Sequence, residues 1–306
     1  EIGDLTRTDV AQSESRLALA QGDLRTARAN LSAARERYIQ IVGKPPENLE
    51  APPPLPGLPG SPQEAVTIAL DNNPDLIAAR DASNAARYDI EVAGAGRLPK
   101  LEVFTSGTYS DPLGTVTNGT SATGASAGVR ATIPLFQGGR PAAQERQAQA
   151  RSAAALEQEI GTERGVISQV RAAFSSLEAA NSIIASTQTA VSAAELSLEG
   201  VRAENTVGNR TILEILNAEQ ELLSARVQLV TARRNAYVAG FTLLAAIGRA
   251  EARDLGLGDE GVLYDPQVNY DRVKGKIWDW SFDPDPVAQS TRTVDTPTQD
   301  GEIPKQ

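Results

Sequence analysis

Apolar residues recur at every third or fourth position over three long stretches of the chain, and this spacing predicts long helices. In the first stretch, residues 4–42, the apolar row is unbroken, as in the seam of a coiled coil. Gly43 then favours the end of a helix, and Pro45 prevents its continuation. The second and third helices are expected from near Pro141 to residue 204 and from residue 211 to residue 247.

The second of these helices would be roughly 100 Å long, at about 1.5 Å per residue. Its main apolar row continues to the end, but a neighbouring row becomes polar in the second half, at Asn181, Gln188, Glu195 and Arg202. Such a polar row is typical of a helix that lines an aqueous space. It is equally typical of an ordinary solvated face, which is the commoner case.

Between the first and second long helices the pattern changes twice. Residues 45–62 are rich in proline and predict an extended connector. Residues 62–95 return to helical spacing. The sequence DNNP at 71–74 divides them into two helices, because the residue before a proline avoids the helical conformation.

Residues 101–109 and 124–136 are predicted to form β-strands. In the second segment, Ala, Val, Ile and Leu alternate with Ser, Gly, Arg, Thr and Pro, so that one face of the strand is apolar. The alternation extends over about the length of a tilted membrane-spanning strand. Alternation alone also fits a soluble hairpin with one buried face, and on this criterion the soluble hairpin is favoured.

The composition excludes several kinds of site. The chain contains no Cys and no His, which removes structural zinc sites, cysteine nucleophiles, Ser-His-Asp triads and histidine-bound haem. No glycine-rich phosphate loop is present, so an enzyme is the least favoured class and no cofactor is expected. The net charge of −10 disfavours nucleic acid as a partner. No apolar run of about 18 residues predicts a transmembrane helix, so any membrane contact must come from the strands.

The first and last long helices are copies of one another. Their positions match without a gap, as Gly3 with Gly208, Asp9 with Glu214, Leu17 with Leu222, Leu24 with Leu229, and Gly43 with Gly248. Coiled-coil composition does not explain the shared glycines and acids, so we interpret the match as an internal duplication. The second copy has two strands and two long helices, whereas the first copy contributes only its last helix. Because the chain does not begin with Met, we expect a preceding segment with two more strands and another long helix.

Four motifs within residues 1–248 resemble the TolC family of outer-membrane efflux channels. They are GDLTRTDVAQSESRL, LPKLEV, IPLFQGG and, most specifically, VGNRTILEILNAEQELLSARVQL. The resemblance implies a mixed α and β membrane protein. In it, a homotrimer forms a twelve-stranded outer-membrane β-barrel, and long antiparallel coiled-coil helices continue below it as a periplasmic α-barrel. The strands predicted above are then membrane strands, and the polar row of the long helix faces the aqueous duct.

The resemblance also implies the function and the domain layout. The protein would be the passive outer-membrane exit duct of a tripartite efflux or type I secretion system in a Gram-negative bacterium. It would contact the lipid bilayer, a periplasmic adaptor protein and an inner-membrane pump. The expected segments are a returning helix at 1–43, a connector with short equatorial helices at 44–97, a strand pair with an extracellular loop at 98–136, a helical hairpin at 137–248, a C-terminal equatorial segment at 249–282 and a disordered tail at 283–306.

The resemblance places both helix–helix turns, at Gly3 and Gly208, at the periplasmic tip that contacts the adaptor. Glu214 and Asn217 match positions whose acidic side chains ring the constriction, although Asn217 is an amide where a carboxylate is common in the family. Three Glu214 carboxylates around an axis would repel one another, which favours a bound cation or a raised pKa.

Two further positions match polar links that hold the helix pairs together in the closed state, namely Arg210 and Asp9. Asn205 stands where some members have an aromatic gate residue. The plain alternative is that Glu214 complements the dipole at a helix start, and that Arg210 and Asp9 are ordinary surface charges. At the level of the whole protein, the alternative is a periplasmic coiled-coil scaffold or an adaptor-type protein without a membrane barrel. Adaptors flank their helical hairpins with two lipoyl-like β halves, and nothing in this sequence resembles such halves.

Overall fold

The computed structural model describes residues 7–47, 49–111, 121–256, 265–278, 280–285, 287–288 and 290–303, without the side chain of Asp9. The chain divides into two compact units, and each is described by itself. The first unit comprises Glu1–Pro56, Ala179–Val238 and Leu255–Gln306, and the second comprises Gly57–Glu178 and Ala239–Asp254. Among the helices described, none is both long enough and apolar enough to span a bilayer.

The described residues form six α-helices and one pair of strands. In chain order these are α1 (Arg7–Val42), α2 (Pro62–Asn72), α3 (Pro74–Gly94), β1 (Lys100–Ser110), β2 (Ala122–Thr132), α4 (Arg140–Thr206), α5 (Ile212–Ala246) and α6 (Pro266–Val273). A short 3-10 turn, Ala95–Arg97, follows α3. These elements confirm the three long helices, the divided pair α2 and α3, and the two strands that the sequence predicts. The second strand ends at Thr132 and not at residue 136, because Pro134 has no N–H for a strand ladder. Part of the predicted extracellular loop, residues 112–120, lies outside the described residues, as do residues 257–264 of the predicted equatorial segment.

In the first unit, the second half of α4 packs on the first part of α5 through a narrow apolar seam. The seam residues are each at most 8% exposed, and they are Val191, Ala194 and Leu198 on α4 and Ala218, Leu222, Ala225 and Leu229 on α5. Small residues at alternate positions let the two helices approach closely. The seam follows the Leu and Ala spacing expected from the sequence.

The polar row of α4 lies along the edge of this seam. Glu195 accepts a hydrogen bond from Arg226 of α5 at 2.8 Å, and Arg202 donates one to Glu219 at 2.7 Å. All four side chains remain 44–59% exposed, so each pair contributes little to stability by itself. The row therefore faces water, as expected from its polarity, and it also links the two helices.

The duplicated helices end in the same way. Gly43 after α1 and Gly248 after α5 both have positive φ angles, of 78° and 74°. Such a left-handed residue commonly closes a helix, and glycine adopts it without steric cost. The matched seams differ in exposure, since Leu17 and Leu24 of α1 are 60% and 52% exposed, whereas their counterparts in α5 are buried.

In the second unit, Asn73 organises the break between α2 and α3. Its side-chain oxygen accepts hydrogen bonds from the backbone N–H groups of Asp75 and Leu76, at 3.0 and 3.1 Å, and so caps α3. Its side-chain nitrogen donates to the carbonyl oxygen of Ala246 at 2.9 Å. The backbone of Asn72 also approaches Gly248 so closely that no side chain fits there. The DNNP sequence thus breaks one helix and docks the break against the end of α5.

The helix α6 and the C-terminal tail that follows it both belong to the first unit. Arg272 and Lys276 both donate hydrogen bonds to Asp283, and these hydrogen bonds lower the pKa of Asp283 to about 2. The tail contacts α1, since Arg35 donates a hydrogen bond to the carbonyl oxygen of Asp300 at 2.7 Å. No helix or strand occurs in the described part of residues 283–303, and the disorder expected for this tail stays a prediction.

Candidate functional site

The connection between α4 and α5 is a tight turn closed by local hydrogen bonds. Gly208 has a φ angle of 80°, which only glycine adopts readily, and the N–H of Asn209 donates back to the carbonyl oxygen of Glu204 at 3.0 Å. The side chain of Asn205 donates to the carbonyl oxygen of Arg210 at 2.6 Å. Hydrogen bonds from the backbone and from the Asn205 side chain thus link the end of α4 to the residues that precede α5.

Glu214 closes the N-terminal end of α5. Its Oε2 atom accepts hydrogen bonds from the backbone N–H of Thr211 at 2.7 Å and from the Thr211 hydroxyl at 3.0 Å. The hydroxyl in turn lies 3.4 Å from the N–H of Glu214. This reciprocal arrangement is a capping box, which satisfies backbone donors that have no partner within the helix.

Arg210 joins the two ends of the turn. Its Nε atom donates to Glu204 at 2.6 Å, and its Nη1 atom donates to Glu214 at 2.7 Å. The three side chains are 38–51% exposed, which leaves them accessible to water. We call Glu204, Arg210, Thr211 and Glu214 the tip cluster.

The tip cluster changes the charge behaviour of Glu214. The N–H of Thr211, and after it the guanidinium of Arg210, lower the pKa of Glu214 from 4.5 to about 2. The hydrogen bonds to Glu204 and Glu214 hold the pKa of Arg210 above its usual value. Within one chain, Glu214 is therefore a firmly ionised group, and the shift is opposite to the rise expected for three facing carboxylates.

Of the other predicted tip residues, Gly208 belongs to the turn itself and Asn217 is described in full, whereas Asp9 and Gly3 are not. Asn217 lies on α5, three residues after Glu214, and its side chain is exposed. Asp9 belongs to α1, but its side chain lies outside the described residues, as does the whole of Gly3. The structure thus brings Arg210 together with Glu214 and Glu204, and the predicted link between Arg210 and Asp9 stays a prediction.

The sequence contains one signal for this cluster that the apolar pattern does not use. Thr211 and Glu214 have the T-x-x-E spacing of a capping box directly before an apolar run. No comparable signal identifies Glu204, because its pairing with Arg210 depends on the path of the turn. Within the residues that the structure describes, no group of three or more Asp and Glu side chains is arranged to hold a metal ion.

The strands provide the second notable surface. β1 and β2 pair antiparallel with Leu101 opposite Ala131 and Val103 opposite Val129 on one face. Leu101, Val103 and Val129 are 73%, 83% and 66% exposed, so this apolar face is uncovered in the single chain. The opposite face carries Lys100, Glu102 and Arg130 near its helix-proximal end, together with Ser and Thr residues along its length.

Comparison with known proteins places these features in a family context. Residues 65–249 match the family described as "Outer membrane efflux protein". The chain is 36% identical over 277 residues to the outer membrane efflux protein BepC of Brucella suis, covering 90% of this chain and 60% of that protein. It is 30% identical over 272 residues to the outer membrane protein TolC of Escherichia coli, covering 83% of this chain and 54% of that protein.

A third relative and a solved structure are similar to this chain over a comparable share of its length. The alkaline protease secretion protein AprF of Pseudomonas aeruginosa is 30% identical over 263 residues, covering 84% of this chain and 55% of that protein. The crystal structure of the outer membrane protein VceC of Vibrio cholerae matches with a TM-score of 0.60 and 25% identity, covering 79% of this chain and 58% of that chain. The chain therefore spans between half and two thirds of the length of these proteins.

Proposed function

Because the chain belongs to the outer membrane efflux protein family, we propose that the protein containing it is a passive exit duct of a tripartite efflux or type I secretion system. Family membership makes it an outer-membrane protein with the TolC type of fold. Its relatives bear names of efflux and protease secretion, which favour a duct over a periplasmic scaffold or adaptor-type protein.

The observation that carries the proposal is the pair of unlike faces on the β1–β2 hairpin. One face exposes Leu101, Val103 and Val129, and the other carries charged residues near the helices and mainly Ser, Thr and Gly beyond Phe104. A two-stranded hairpin in water is marginally stable by itself, and an exposed apolar patch of this kind marks a surface that contacts a membrane or a partner. In a closed barrel, the apolar face contacts lipid and the polar face lines the lumen.

Closure of such a barrel requires further strands, because two strands leave both edges unpaired. We propose a homotrimer with twelve strands, in which each full-length protomer contributes four strands. The helices α1, α4 and α5 would then form the periplasmic wall of the duct. A periplasmic adaptor would contact the tip turns at Gly3 and Gly208, and an inner-membrane pump would supply the energy for export.

At the tip, Glu214 and Asn217 are proposed as the gate, and Arg210 and Asp9 as the links that hold it closed. The exposed tip cluster supports this proposal, since it places a firmly ionised carboxylate and a cation on an accessible turn. Arg210 uses its Nε and Nη1 atoms to donate to Glu204 and Glu214, so its Nη2 atom could donate to Asp9 when the gate closes without loss of either pair.

Membrane fractionation and an export assay separate this proposal from the scaffold alternative. The full-length protein should sediment with the outer membrane, resist extraction by alkaline carbonate and require detergent for release. Cells that lack it should retain a fluorescent efflux dye, and the gene supplied in trans should restore export. Release by carbonate without detergent, together with unchanged dye retention, would instead support a periplasmic scaffold.

A further inference from the structure

The polar face of the hairpin has an uneven distribution of charge. Its three charged residues, Lys100, Glu102 and Arg130, lie at the ends of β1 and β2 that adjoin the helices. Past Phe104, this face carries only Ser, Thr, Gly and Ala as far as the loop end of each strand. Cations outnumber carboxylates in the charged part by two to one.

Arg130 is held in place by an aromatic ring. Its guanidinium carbon lies 5.3 Å from the centroid of Phe104, within the range of a cation–π contact. Phe104 in turn lies over Gly128, its cross-strand partner, and a Cβ atom on Gly128 would meet the ring at 2.9 Å. The glycine thus provides space for the ring, and the ring provides a platform for the guanidinium.

This platform keeps Arg130 available to solutes. Glu102 is its cross-strand partner, but the guanidinium lies over Phe104 instead. A guanidinium has a planar set of donors that matches a carboxylate or a phosphate, and it is more weakly hydrated than an ammonium group. Three such groups facing one lumen would produce a local positive potential, since low-dielectric walls focus the field of charges that line a channel.

We propose that Arg130 is a selectivity residue that favours anionic solutes, those bearing a carboxylate or a phosphate, at the helix-proximal end of the barrel lumen. This inference rests on the proposed function, because it requires the polar face of the hairpin to line the duct. The positive zone would lie where the barrel lumen adjoins the helical part of the duct, so an exported solute would meet it before it crosses the rest of the barrel.

The absence of Cys from the chain permits a local test. Thr132→Cys in the full-length protein, made free of any other Cys, places one thiol on the polar face, two residues from Arg130 or about 7 Å along the strand. The measurement is the ratio of its reaction rates with an anionic and a cationic methanethiosulfonate of similar size. Because the reagents can enter from the outer face, the readout does not depend on the state of the tip.

The proposal predicts that Arg130→Gln lowers the anionic-to-cationic rate ratio roughly threefold to sevenfold, as expected for a unit charge at this distance in a screened aqueous lumen. Arg130→Lys keeps the charge and should leave the ratio within about twofold of the parent protein. Arg87→Gln is the matched control, because Arg87 also lies over an aromatic ring, Tyr88, at 5.6 Å, but belongs to α3. It should leave the ratio unchanged.

A second reporter distinguishes failure of this proposal from failure of the proposed function. Val129→Cys places the thiol on the apolar face, where lipid should shield it from both reagents. If Val129→Cys reacts as fast as Thr132→Cys, the two faces do not separate lipid from lumen, and the proposed function is contradicted. If only Thr132→Cys reacts and Arg130→Gln leaves its ratio unchanged, the duct stands and the role of Arg130 is refuted.

Discussion

At the scale of single residues, the observed capping role of Glu214 is compatible with its proposed role in the gate. Its carboxylate accepts from the N–H and hydroxyl of Thr211 and from Arg210, so it is a structural cap for α5 and part of an exposed ion-pair cluster. The sequence alone presents a helix cap and a gate residue as alternative interpretations of Glu214. The structure shows that the cap keeps the carboxylate ionised at an accessible turn, which a charged gate also needs.

The lowered pKa of Glu214 leads to a prediction about pH. A carboxylate with a folded-state pKa of about 2 and an ordinary value of 4.5 stabilises the turn above pH 4.5, and this contribution is lost as the pH falls through about 2. Near pH 3, an ordinary Glu is mostly protonated, whereas Glu214 remains ionised. Amide hydrogen exchange in the tip turn, corrected for intrinsic rates, should therefore be slower in the parent protein than in Glu214→Gln at both pH 6 and pH 3.

Glu221→Gln provides the control for this experiment, since Glu221 is an exposed carboxylate on the same helix. Its substitution should leave exchange in the tip turn unchanged at both pH values. A difference between parent and Glu214→Gln that disappears by pH 3 would show that Glu214 titrates normally.

At the scale of elements, the sequence predicted the helices well and the contacts between distant residues poorly. The seam of α4 and α5 follows from apolar spacing, and the ends of α1 and α5 follow from Gly43 and Gly248, because both signals are local. The second strand was predicted to reach residue 136 but ends at Thr132. Pro134 has no N–H for a strand ladder, so the apolar residues around it do not extend the strand.

The candidate site shows the same limit. The capping box could be found from its spacing, whereas the pairing of Arg210 with Glu204 depends on a turn whose path no periodicity specifies. The stack of Arg130 on Phe104 depends on the register between two strands, which the sequence does not determine across a loop.

The glycines that end the elements give a prediction at this scale. Gly248→Ala would strain a left-handed backbone, at about 1–2 kcal/mol, and would also force a methyl group against the backbone of Asn72. Gly208→Ala causes the same backbone strain, but nothing lies within 4 Å of the added carbon. Thermal unfolding of the full-length protein in detergent should therefore show a clearly larger loss for Gly248→Ala. Equal losses would mean that the contact between the α2–α3 break and the end of α5 contributes nothing.

At the scale of the whole molecule, the two unlike hairpin faces and the uncovered seam of α1 require partners. Leu17 and Leu24 remain exposed where the duplicated positions on α5 are buried, and the hairpin edges have no neighbouring strand within the described residues. We therefore predict that the 306-residue chain by itself does not form a stable trimer, whereas the full-length protein does. Size-exclusion chromatography with light scattering in detergent measures the oligomeric state of the 306-residue chain and of the full-length protein. A uniform trimer of the 306-residue chain would contradict the proposal that each protomer contributes four strands.

The central claim is a duct gated by charge at its tip, and single-channel conductance of the full-length protein in planar bilayers tests it most directly. The parent protein should form discrete channels of low conductance, which Glu214→Ala or Arg210→Ala should raise, while Glu221→Ala leaves the conductance unchanged. Divalent or trivalent cations added on the periplasmic side should block the parent protein and block Glu214→Ala less, because a ring of carboxylates binds them. The absence of channels would contradict the duct, and channels whose conductance and cation block are the same in Glu214→Ala as in the parent protein would contradict the gate.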